Sequence, residues 1–295
     1  MLRCKKGWKR LLFAIKFKHN RVLIYLFNMS TIITNKFKQT EFDLSDKVLV
    51  VIGGAGQIGR ELSNHLTMAG AIIIILDSSD ANLNETGESI VCDITSELEV
   101  EHATARIVER FLKIDCVINL AHFKGPRDLT PHNSFFASLE DYPLEMWNKT
   151  LEVNLTGLFL CTKSFGRQML KQGRGVFINT SSTYGVVSPY PGLYVESGIN
   201  SPVGYATTKA AIINFTRYVA AHWGCRGIRA NCIVPGGVEH LNQDDEFKQR
   251  YLERTMLGRM AKPGDYNSAM LFLASDASKY MTGACLTLDG GWTAW

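Results

Sequence analysis

The sequence has no long uninterrupted hydrophobic run. Its N-terminal 28 residues contain two short apolar stretches, but Lys16, Lys18, His19 and Arg21 separate them. A membrane helix needs roughly 20 predominantly apolar residues, and a cleaved signal peptide needs one longer apolar region before a small-residue cleavage site. The sequence therefore predicts neither a membrane span nor a secretory signal.

Paired cysteines and a strong net charge are also absent. The seven cysteines are scattered through the chain, and no two have the C-x-x-C spacing of a zinc or redox site. This usage favours reduced thiols in a cytoplasmic protein and indicates no metal site. A net charge of +4 is too small to argue for a nucleic-acid partner.

The N-terminal extension differs from the rest of the chain. Residues 1–28 carry basic but no acidic side chains, so the remainder is mildly acidic. We expect residues 1–40 to lie outside the fold, as a disordered extension or because the residues before Met29 are upstream of the true start. A basic helix on a membrane surface is the other interpretation. Residues 45–295 are then expected to form one domain.

Short apolar runs alternate with helical patterns after residue 45. The predicted strands are 47–52, 71–76, 89–92, 115–118, 175–180, 227–234 and 284–288. The predicted helices start after residue 56 and after Thr95 or Ser96, and further ones cover 143–171, 205–223, 242–256 and 265–274. This alternation predicts an α/β fold, a single Rossmann-type, doubly wound parallel sheet of about seven strands with helices on both faces.

A glycine-rich turn follows the first predicted strand. Gly54, Gly56 and Gly59 fit G-x-G-x-x-G, and Gly53, Gln57 and Ile58 complete the turn. Glycines allow the backbone to turn tightly and to approach a pyrophosphate, which then lies at a helix N-terminus. The turn predicts a dinucleotide site.

Asp77 ends the second predicted strand, eighteen residues after Gly59. A carboxylate at this place accepts hydrogen bonds from an adenosine ribose and repels a 2′-phosphate. No basic residue follows in Ser78-Ser79-Asp80, so the sequence favours NAD over NADP. Asp93, followed by Ile94, either meets the adenine amino group or stabilises its own turn.

Tyr205 and Lys209 lie four residues apart on a predicted helix. Residues with this spacing share a helix face. A fixed cation favours the phenolate over the phenol, and a Tyr with a depressed pKa exchanges protons near neutral pH. We therefore expect Lys209 to lower the pKa of Tyr205.

In this order along the chain, these markers resemble the short-chain dehydrogenase/reductase family over residues 47–295. The resemblance implies hydride transfer between a nicotinamide and a carbonyl or secondary alcohol. It assigns Ser182 to the substrate oxygen, with Ser181 as the alternative, Tyr205 to acid–base catalysis, Lys209 to the nicotinamide ribose, and Asn154 to a proton-relay water. It also assigns further cofactor contacts to Asn119, Ala121, Pro235, Gly236 and Val238.

The chain departs from the family pattern at several positions. Gln57 replaces the middle glycine of the turn, and Ile52 replaces its threonine. His122 replaces a glycine beside the cofactor and is a candidate substrate contact. The usual threonine after Pro235-Gly236 is missing, so the Val238 backbone is expected to hold the nicotinamide amide.

The predicted substrate pocket is rich in polar and aromatic residues. The loops 123–141 and 186–202 are long, and Tyr184 and Tyr194 are further candidate substrate contacts. Such a lining favours a polar, sugar-like substrate. It resembles the short-chain reductases that are encoded with flagellin or surface-polysaccharide modification and act in making sialic-acid-like sugars.

Three alternative functions stay open at the level of sequence. They are a 3-oxoacyl-carrier-protein reductase, a nucleotide-sugar epimerase or dehydratase, and a cofactor-sensing protein without turnover. The family resemblance also implies a homodimer or homotetramer. The apolar C-terminal end, with Trp292 and Trp295, is a candidate subunit interface.

Overall fold

The structure is a computed structural model that describes residues 41–79, 88–123, 125–126, 134–194, 200–240 and 243–295. The predictions for residues 1–40 and for parts of the two long loops lie outside these ranges. Residues 44–295 form one compact unit. Within the described residues, no helix combines the length and the hydrophobicity that crossing a bilayer requires.

Seven strands form one sheet in the order β3-β2-β1-β4-β5-β6-β7, and every neighbouring pair is parallel. The strands are β1 (Val48–Ile52), β2 (Ile72–Asp77), β3 (Glu88–Val91), β4 (Cys116–Asn119), β5 (Gly175–Thr180), β6 (Ile228–Pro235) and β7 (Cys285–Leu288). The order reverses direction between β1 and β4, which is the point where open α/β sheets bind ligands. The predicted doubly wound sheet is confirmed.

The α-helices of the described residues pack on both faces of this sheet. They are α1 (Gln57–Met68), α2 (Glu97–Phe111), α3 (Leu144–Leu151), α4 (Leu158–Gln172), α5 (Val203–Trp223), α6 (Asp245–Glu253) and α7 (Asn267–Ala274). Successive strand residues point to opposite faces. Val50 of β1 accordingly packs with α2, α4 and α5, whereas Val51 packs with α1 and α7.

The pattern over 143–171 predicted one long helix, and the chain is helical without a break from Leu144 to Gln172, with a π-helical turn, Glu152–Gly157, between α3 and α4. Other predicted helix limits were wrong. The pattern over 242–256 predicted a longer helix than α6, and a 3₁₀ turn, Pro263–Tyr266, precedes α7. Ser96 does cap α2, because its side chain accepts a hydrogen bond from the Glu99 backbone N–H.

Trp292 does not form the surface expected of a subunit interface. It is 3% exposed and stacks on Tyr251 with ring centroids 4.4 Å apart. The Arg254 guanidinium lies 5.2 Å from the Trp292 ring centroid. Trp292 therefore anchors the C-terminal end within the chain, whereas Trp295 is 69% exposed.

Candidate active site

A cavity of about 630 Å³ opens at the carboxyl ends of the central strands. One side, the glycine wall, consists of residues 53–59 and Asp77. The other side, the catalytic wall, consists of residues 180–184 and α5 near Tyr205 and Lys209. Residues 235–238, after β6, line the cavity as well. This is the size and position of a site for a small ligand or cofactor.

The glycine wall depends on missing side chains. A Cβ on Gly59 would lie 2.6 Å from the Gly54 Cα, and one on Gly54 would lie 2.6 Å from Ile75. Gly53 has φ +76°, and its Cβ would lie 2.7 Å from the Ala121 backbone nitrogen. These close approaches bring the start of α1 against the sheet.

The N-terminus of α1 opens on the cavity. Gly56 is its N-cap and makes no side-chain capping bond. A Cβ on Gly56 would meet only the Gly53 carbonyl oxygen, at 3.3 Å, so space remains in front of the helix. Unpaired N–H groups and a helix dipole suit an anion. The wall therefore fits the pyrophosphate of a dinucleotide.

Asp77 lies in the cavity lining at the end of β2. Its Oδ2 accepts a hydrogen bond of 3.0 Å from the Ala55 backbone N–H, and its Oδ1 accepts from Ser79. Asp93 and Ile94 also line the cavity. Asp93 Oδ1 accepts from the Thr95 backbone and hydroxyl, so Asp93 does stabilise its own turn.

Asn119 and Ala121 follow β4 but face different surroundings. Ala121 lines the cavity. The Asn119 side chain turns away from it and donates to Asn179 Oδ1 at 2.8 Å, and Asn179 donates to Thr216. Asn119 thus joins β4 to β5 and α5, and its amide is not among the groups that line the main cavity. A cofactor contact by that amide is not supported.

Two serines follow β5, and the structure separates their roles. Both are buried and both line the cavity. The Ser181 hydroxyl donates to the Lys209 carbonyl oxygen at 2.6 Å, whereas Ser182 Oγ accepts from the Tyr184 backbone N–H. The side chain that interacts with the Tyr205 phenol is that of Ser182.

Tyr205 and Lys209 share one face of α5, as their spacing predicted. Lys209 is 2% exposed, its Nζ lies 5.5 Å from the Tyr205 ring centroid, and it donates to the Thr180 carbonyl oxygen at 2.8 Å. The expected pKa of Tyr205 below its ordinary value is not found, because burial raises that pKa and the interaction with the Ser182 side chain opposes the shift only in part. A lowering contribution from the Lys209 charge stays a prediction.

Burial also acts on the lysine. It lowers the pKa of Lys209 to about 8, because removing an ammonium from water disfavours its charged form. Lys209 is still mainly protonated at pH 7. The protein alone therefore holds a neutral phenol beside a buried ammonium.

Asn154 lies in the π-helical turn between α3 and α4. Its Oδ1 accepts from the Phe123 backbone N–H at 2.7 Å, and its Nδ2 donates to Thr208 Oγ1 at 2.9 Å. Such turns occur frequently at functional sites. The side chain joins the segment after β4 to α5, one residue before Lys209.

His122, Tyr184 and Tyr194 all line the cavity. The His122 ring meets Tyr205 edge-on with centroids 5.9 Å apart, and its Nδ1 lies 3.1 Å from the Leu120 carbonyl oxygen. A carbonyl only accepts, so Nδ1 carries a proton. The Tyr184 and Tyr194 hydroxyls are 3.0 Å apart, and burial raises the pKa of both phenols.

The sequence did not point to four further lining residues, Gln243, Phe247, Tyr251 and Met260. They come from α6 and the segments around it, after β6. Motif spacing gave no indication of them, because they follow loops without a fixed pattern. The Tyr251 hydroxyl accepts from the Gly237 backbone N–H, which ties α6 to the segment that closes the cavity.

Residues 53–293 match the protein-family model described as enoyl-(acyl carrier protein) reductase, of the adh_short_C2 type. The chain belongs to the short-chain dehydrogenase/reductase family. It is therefore an NAD(P)-dependent oxidoreductase acting on CH–OH or C=O groups.

Curated relatives cover nearly the whole domain. The chain is 33% identical over 271 residues to 2,5-dichloro-2,5-cyclohexadiene-1,4-diol dehydrogenase of Sphingobium indicum, across 85% of this chain and 99% of the relative. It is 29% identical to galactitol 2-dehydrogenase (L-tagatose-forming) of Cereibacter sphaeroides, across 87% and 99%. It is 31% identical to 3-oxoacyl-[acyl-carrier-protein] reductase of Aquifex aeolicus, across 85% and 99%.

Solved structures share the fold. A short-chain dehydrogenase of Leptospira borgpetersenii with bound NAD⁺ superposes with a TM-score of 0.77 at 35% identity, covering 86% of this chain and 95% of that one. A gluconate 5-dehydrogenase of Burkholderia cenocepacia in complex with NADP and tartrate has a TM-score of 0.76 at 27% identity, covering 86% and 98%. Family members thus use either cofactor.

Proposed function

We propose that this short-chain dehydrogenase/reductase uses NAD to interconvert a secondary alcohol and a ketone on a small polyol or sugar-like substrate. The observation that carries the proposal is the arrangement of Ser182, Tyr205 and Lys209. Ser182 and Tyr205 line the same cavity, where the Ser182 side chain interacts with the Tyr205 phenol, and the Lys209 ammonium lies 5.5 Å from the phenol ring centroid.

In this proposal, Ser182 and Tyr205 bind the reacting oxygen of the substrate. The raised pKa keeps Tyr205 protonated at pH 7, so the phenol donates its proton to the oxygen that forms when a ketone is reduced. Alcohol oxidation reverses the proton transfer. A bound nicotinamide supplies or accepts the hydride.

Lys209 and Asn154 position this pair in the proposal. Lys209 is fixed by the Thr180 carbonyl oxygen, and its charge favours proton release from Tyr205 when the alcohol is oxidised. Asn154 holds Thr208 and the Phe123 backbone. The expected proton-relay water at the Asn154 backbone stays a prediction.

The preference for NAD is supported by the charges that line the cavity. Asp77 stands where the adenosine ribose of a dinucleotide lies on this fold. Lys209 is the only lysine or arginine in the lining formed by the described residues, and it lies at the catalytic wall. A 2′-phosphate beside Asp77 would meet a carboxylate, and no lysine or arginine lines that part of the described cavity. Cofactor contacts by residues 53–59, Ala121 and 235–238 belong to the same proposal.

The substrate class is supported by polar groups beyond the reacting pair. The hydroxyls of Tyr184 and Tyr194 and the ring of His122 face the same cavity as Ser182 and Tyr205. They offer donors and acceptors to a second substrate oxygen. The galactitol and cyclohexadiene-diol dehydrogenases among the relatives are named for substrates with more than one hydroxyl.

The biological setting extends this proposal. The predicted role in surface-glycan or sialic-acid-like sugar synthesis would provide a keto-sugar or sugar alcohol of this class. We further propose a cytoplasmic homodimer or homotetramer whose fold comprises residues 45–295. The exposed side chains of Leu257 and Trp295 are candidates for a subunit contact.

The test is an activity panel with NAD and NADP. It contains polyols such as galactitol and xylitol, simple secondary alcohols, and a 3-oxoacyl thioester with the reduced cofactors. We expect the highest kcat/KM with NAD and a polyol. A Tyr184→Phe, Tyr194→Phe double variant should lose more activity on the polyol than on a simple alcohol, because only the polyol has a second hydroxyl.

The panel also tests the second candidate, the 3-oxoacyl-carrier-protein reductase reaction, which the Aquifex aeolicus relative favours. Reduction of the thioester with the highest kcat/KM would establish that reaction instead. A polyol rate that falls no further than the simple-alcohol rate in the double variant would remove the two tyrosines from substrate recognition.

A further inference from the structure

Gln57 connects two sides of the cavity. Its Nε2 donates a hydrogen bond of 3.0 Å to the Glu239 carbonyl oxygen, although the two residues are 182 positions apart. Gln57 belongs to the first turn of α1 in the glycine wall, and Glu239 follows the segment 235–238 that lines the cavity after β6. Both residues are exposed, so the bond lies at the surface of the cleft.

The segment that receives this bond is held by backbone contacts of its own. The Glu239 N–H donates to the Ala261 carbonyl oxygen at 2.8 Å, and the Ala261 N–H donates to Gly237 at 2.9 Å. Gln243 donates to the Val238 carbonyl oxygen at 3.2 Å. The acceptor carbonyl of Glu239 is thus positioned before Gln57 reaches it, and loss of the Gln57 side chain should not unfold the segment.

The bond spans the entrance to the cofactor site. Gly56, Gln57 and Ile58 line the cavity on one side, and Gly236, Gly237 and Val238 line it on the other. A dinucleotide whose pyrophosphate lies at the α1 N-terminus occupies the space between them. It can leave in that direction only after the two sides separate.

We propose that Gln57 is a latch that closes the cofactor cleft and slows release of the bound dinucleotide. A glycine at this position would leave the cleft open, because it has no side chain to cross it. The donor amide of Gln57, rather than its bulk, makes the connection. One exposed hydrogen bond corresponds to a roughly three- to tenfold change in an opening equilibrium.

The experiment is stopped-flow measurement of NADH dissociation, followed by fluorescence as excess unlabelled NAD⁺ displaces it. Gln57→Met keeps an unbranched side chain of similar length without the donor, and Gln57→Gly removes the side chain. Glu239→Ala is the matched control, because the acceptor is a backbone oxygen. We expect dissociation to be roughly three- to tenfold faster in both Gln57 variants and unchanged in Glu239→Ala.

A second readout needs no cofactor. Hydrogen exchange of the segment 236–240 in the unliganded protein should be faster in Gln57→Met than in the wild type, because the segment has lost its contact with α1. An unchanged NADH dissociation rate in Gln57→Met would overturn the proposal, as would faster dissociation in Gln57→Gly alone, which would assign the effect to bulk.

The latch is independent of the choice between NAD and NADP. The same displacement experiment with NADPH distinguishes the effect of Gln57 on cofactor release from the preference for one cofactor. Faster release of whichever cofactor binds supports the latch, even where a preference for NADPH contradicts the proposed use of NAD.

Discussion

The glycine wall and the catalytic wall face each other across one cavity, but they are built differently. In the glycine wall, Gly53 and Gly59 let backbone approach backbone, and Gly54 leaves room for the Ile75 side chain. In the catalytic wall, buried polar side chains are held by other buried polar groups: Ser181 by the Lys209 carbonyl, Lys209 by the Thr180 carbonyl. The glycine wall thus depends on residues that lack a Cβ, and the catalytic wall depends on hydrogen bonds between buried polar groups.

This difference decides how each wall tolerates change. Adding one methyl group to the glycine wall forces backbone atoms apart. Removing one polar atom from the catalytic wall leaves a buried partner without a hydrogen bond, which costs about 1–3 kcal/mol. Substitutions that add side-chain volume should therefore be the most damaging in the glycine wall. Substitutions that remove a hydrogen-bonding group should be the most damaging in the catalytic wall.

Tyr205→Phe should produce the largest effect. It removes the phenol proposed to exchange the proton and leaves the ring in place, so kcat should fall by about 10²–10⁴. The glycine wall is untouched, and NADH affinity should stay within about twofold because one neutral hydroxyl contributes little. Steady-state kinetics and a fluorescence titration measure the two quantities. Near-normal turnover would remove Tyr205 from the mechanism.

Gly59→Ala should damage the other wall. The new Cβ would lie 2.6 Å from the Gly54 Cα and 2.7 Å from its carbonyl oxygen. Overpacking of this kind costs typically about 1–3 kcal/mol of unfolding free energy, and displacement of α1 should weaken NADH binding as well. Chemical denaturation and titration measure both. Gly56→Ala is the matched control for stability alone, since its Cβ would approach only the Gly53 carbonyl oxygen, at 3.3 Å. An equal loss of unfolding free energy in the two variants would contradict the steric cause.

Lys209→Met should stabilise the fold at pH 7 while abolishing efficient turnover. The buried ammonium titrates near pH 8 in the folded chain instead of 10.5, a difference worth about 3 kcal/mol. Loss of the hydrogen bond from Lys209 to the Thr180 carbonyl oxygen lowers the unfolding free energy of the variant by about 1 kcal/mol. The variant should thus unfold at a higher temperature than the wild type.

The pH dependence of that difference checks its cause. The unfolded chain binds more protons than the folded chain between about pH 8 and 10.5, so the unfolding free energy of the wild type rises with pH in this window. Below the window, the buried ammonium destabilises the wild type to its full extent. The difference in unfolding free energy between Lys209→Met and the wild type should therefore become smaller from pH 8 to pH 10, and a difference that is constant with pH would mean that desolvation of Lys209 does not cause it.

The glycine wall could be predicted largely from sequence. Its function depends on residues close together in the chain, from Gly53 to Gly59, and on Asp77 at the end of the next strand. Local spacing thus predicted a turn, a helix start and a carboxylate in one place. The alternation of strands and helices likewise predicted the parallel sheet, with strand limits that differ from the observed ones by at most one residue.

The catalytic wall was less predictable, because its geometry depends on contacts between distant segments. Spacing placed Tyr205 and Lys209 on one helix face, but the Thr180 carbonyl that holds Lys209 lies 29 positions away. The direction of the Tyr205 pKa shift depends on burial, which no local pattern gives. The link from Asn119 through Asn179 to Thr216 joins three elements and has no sequence motif.

We propose that the cavity between the two walls binds NAD. Fluorescence titration of the purified protein with NADH and NADPH decides this question. We expect tighter binding of NADH, and a smaller difference between the two affinities in Asp77→Ala because the carboxylate that repels a 2′-phosphate is gone. Equal or tighter binding of NADPH to the wild type would contradict the role of Asp77, and binding of neither would contradict the cofactor site itself.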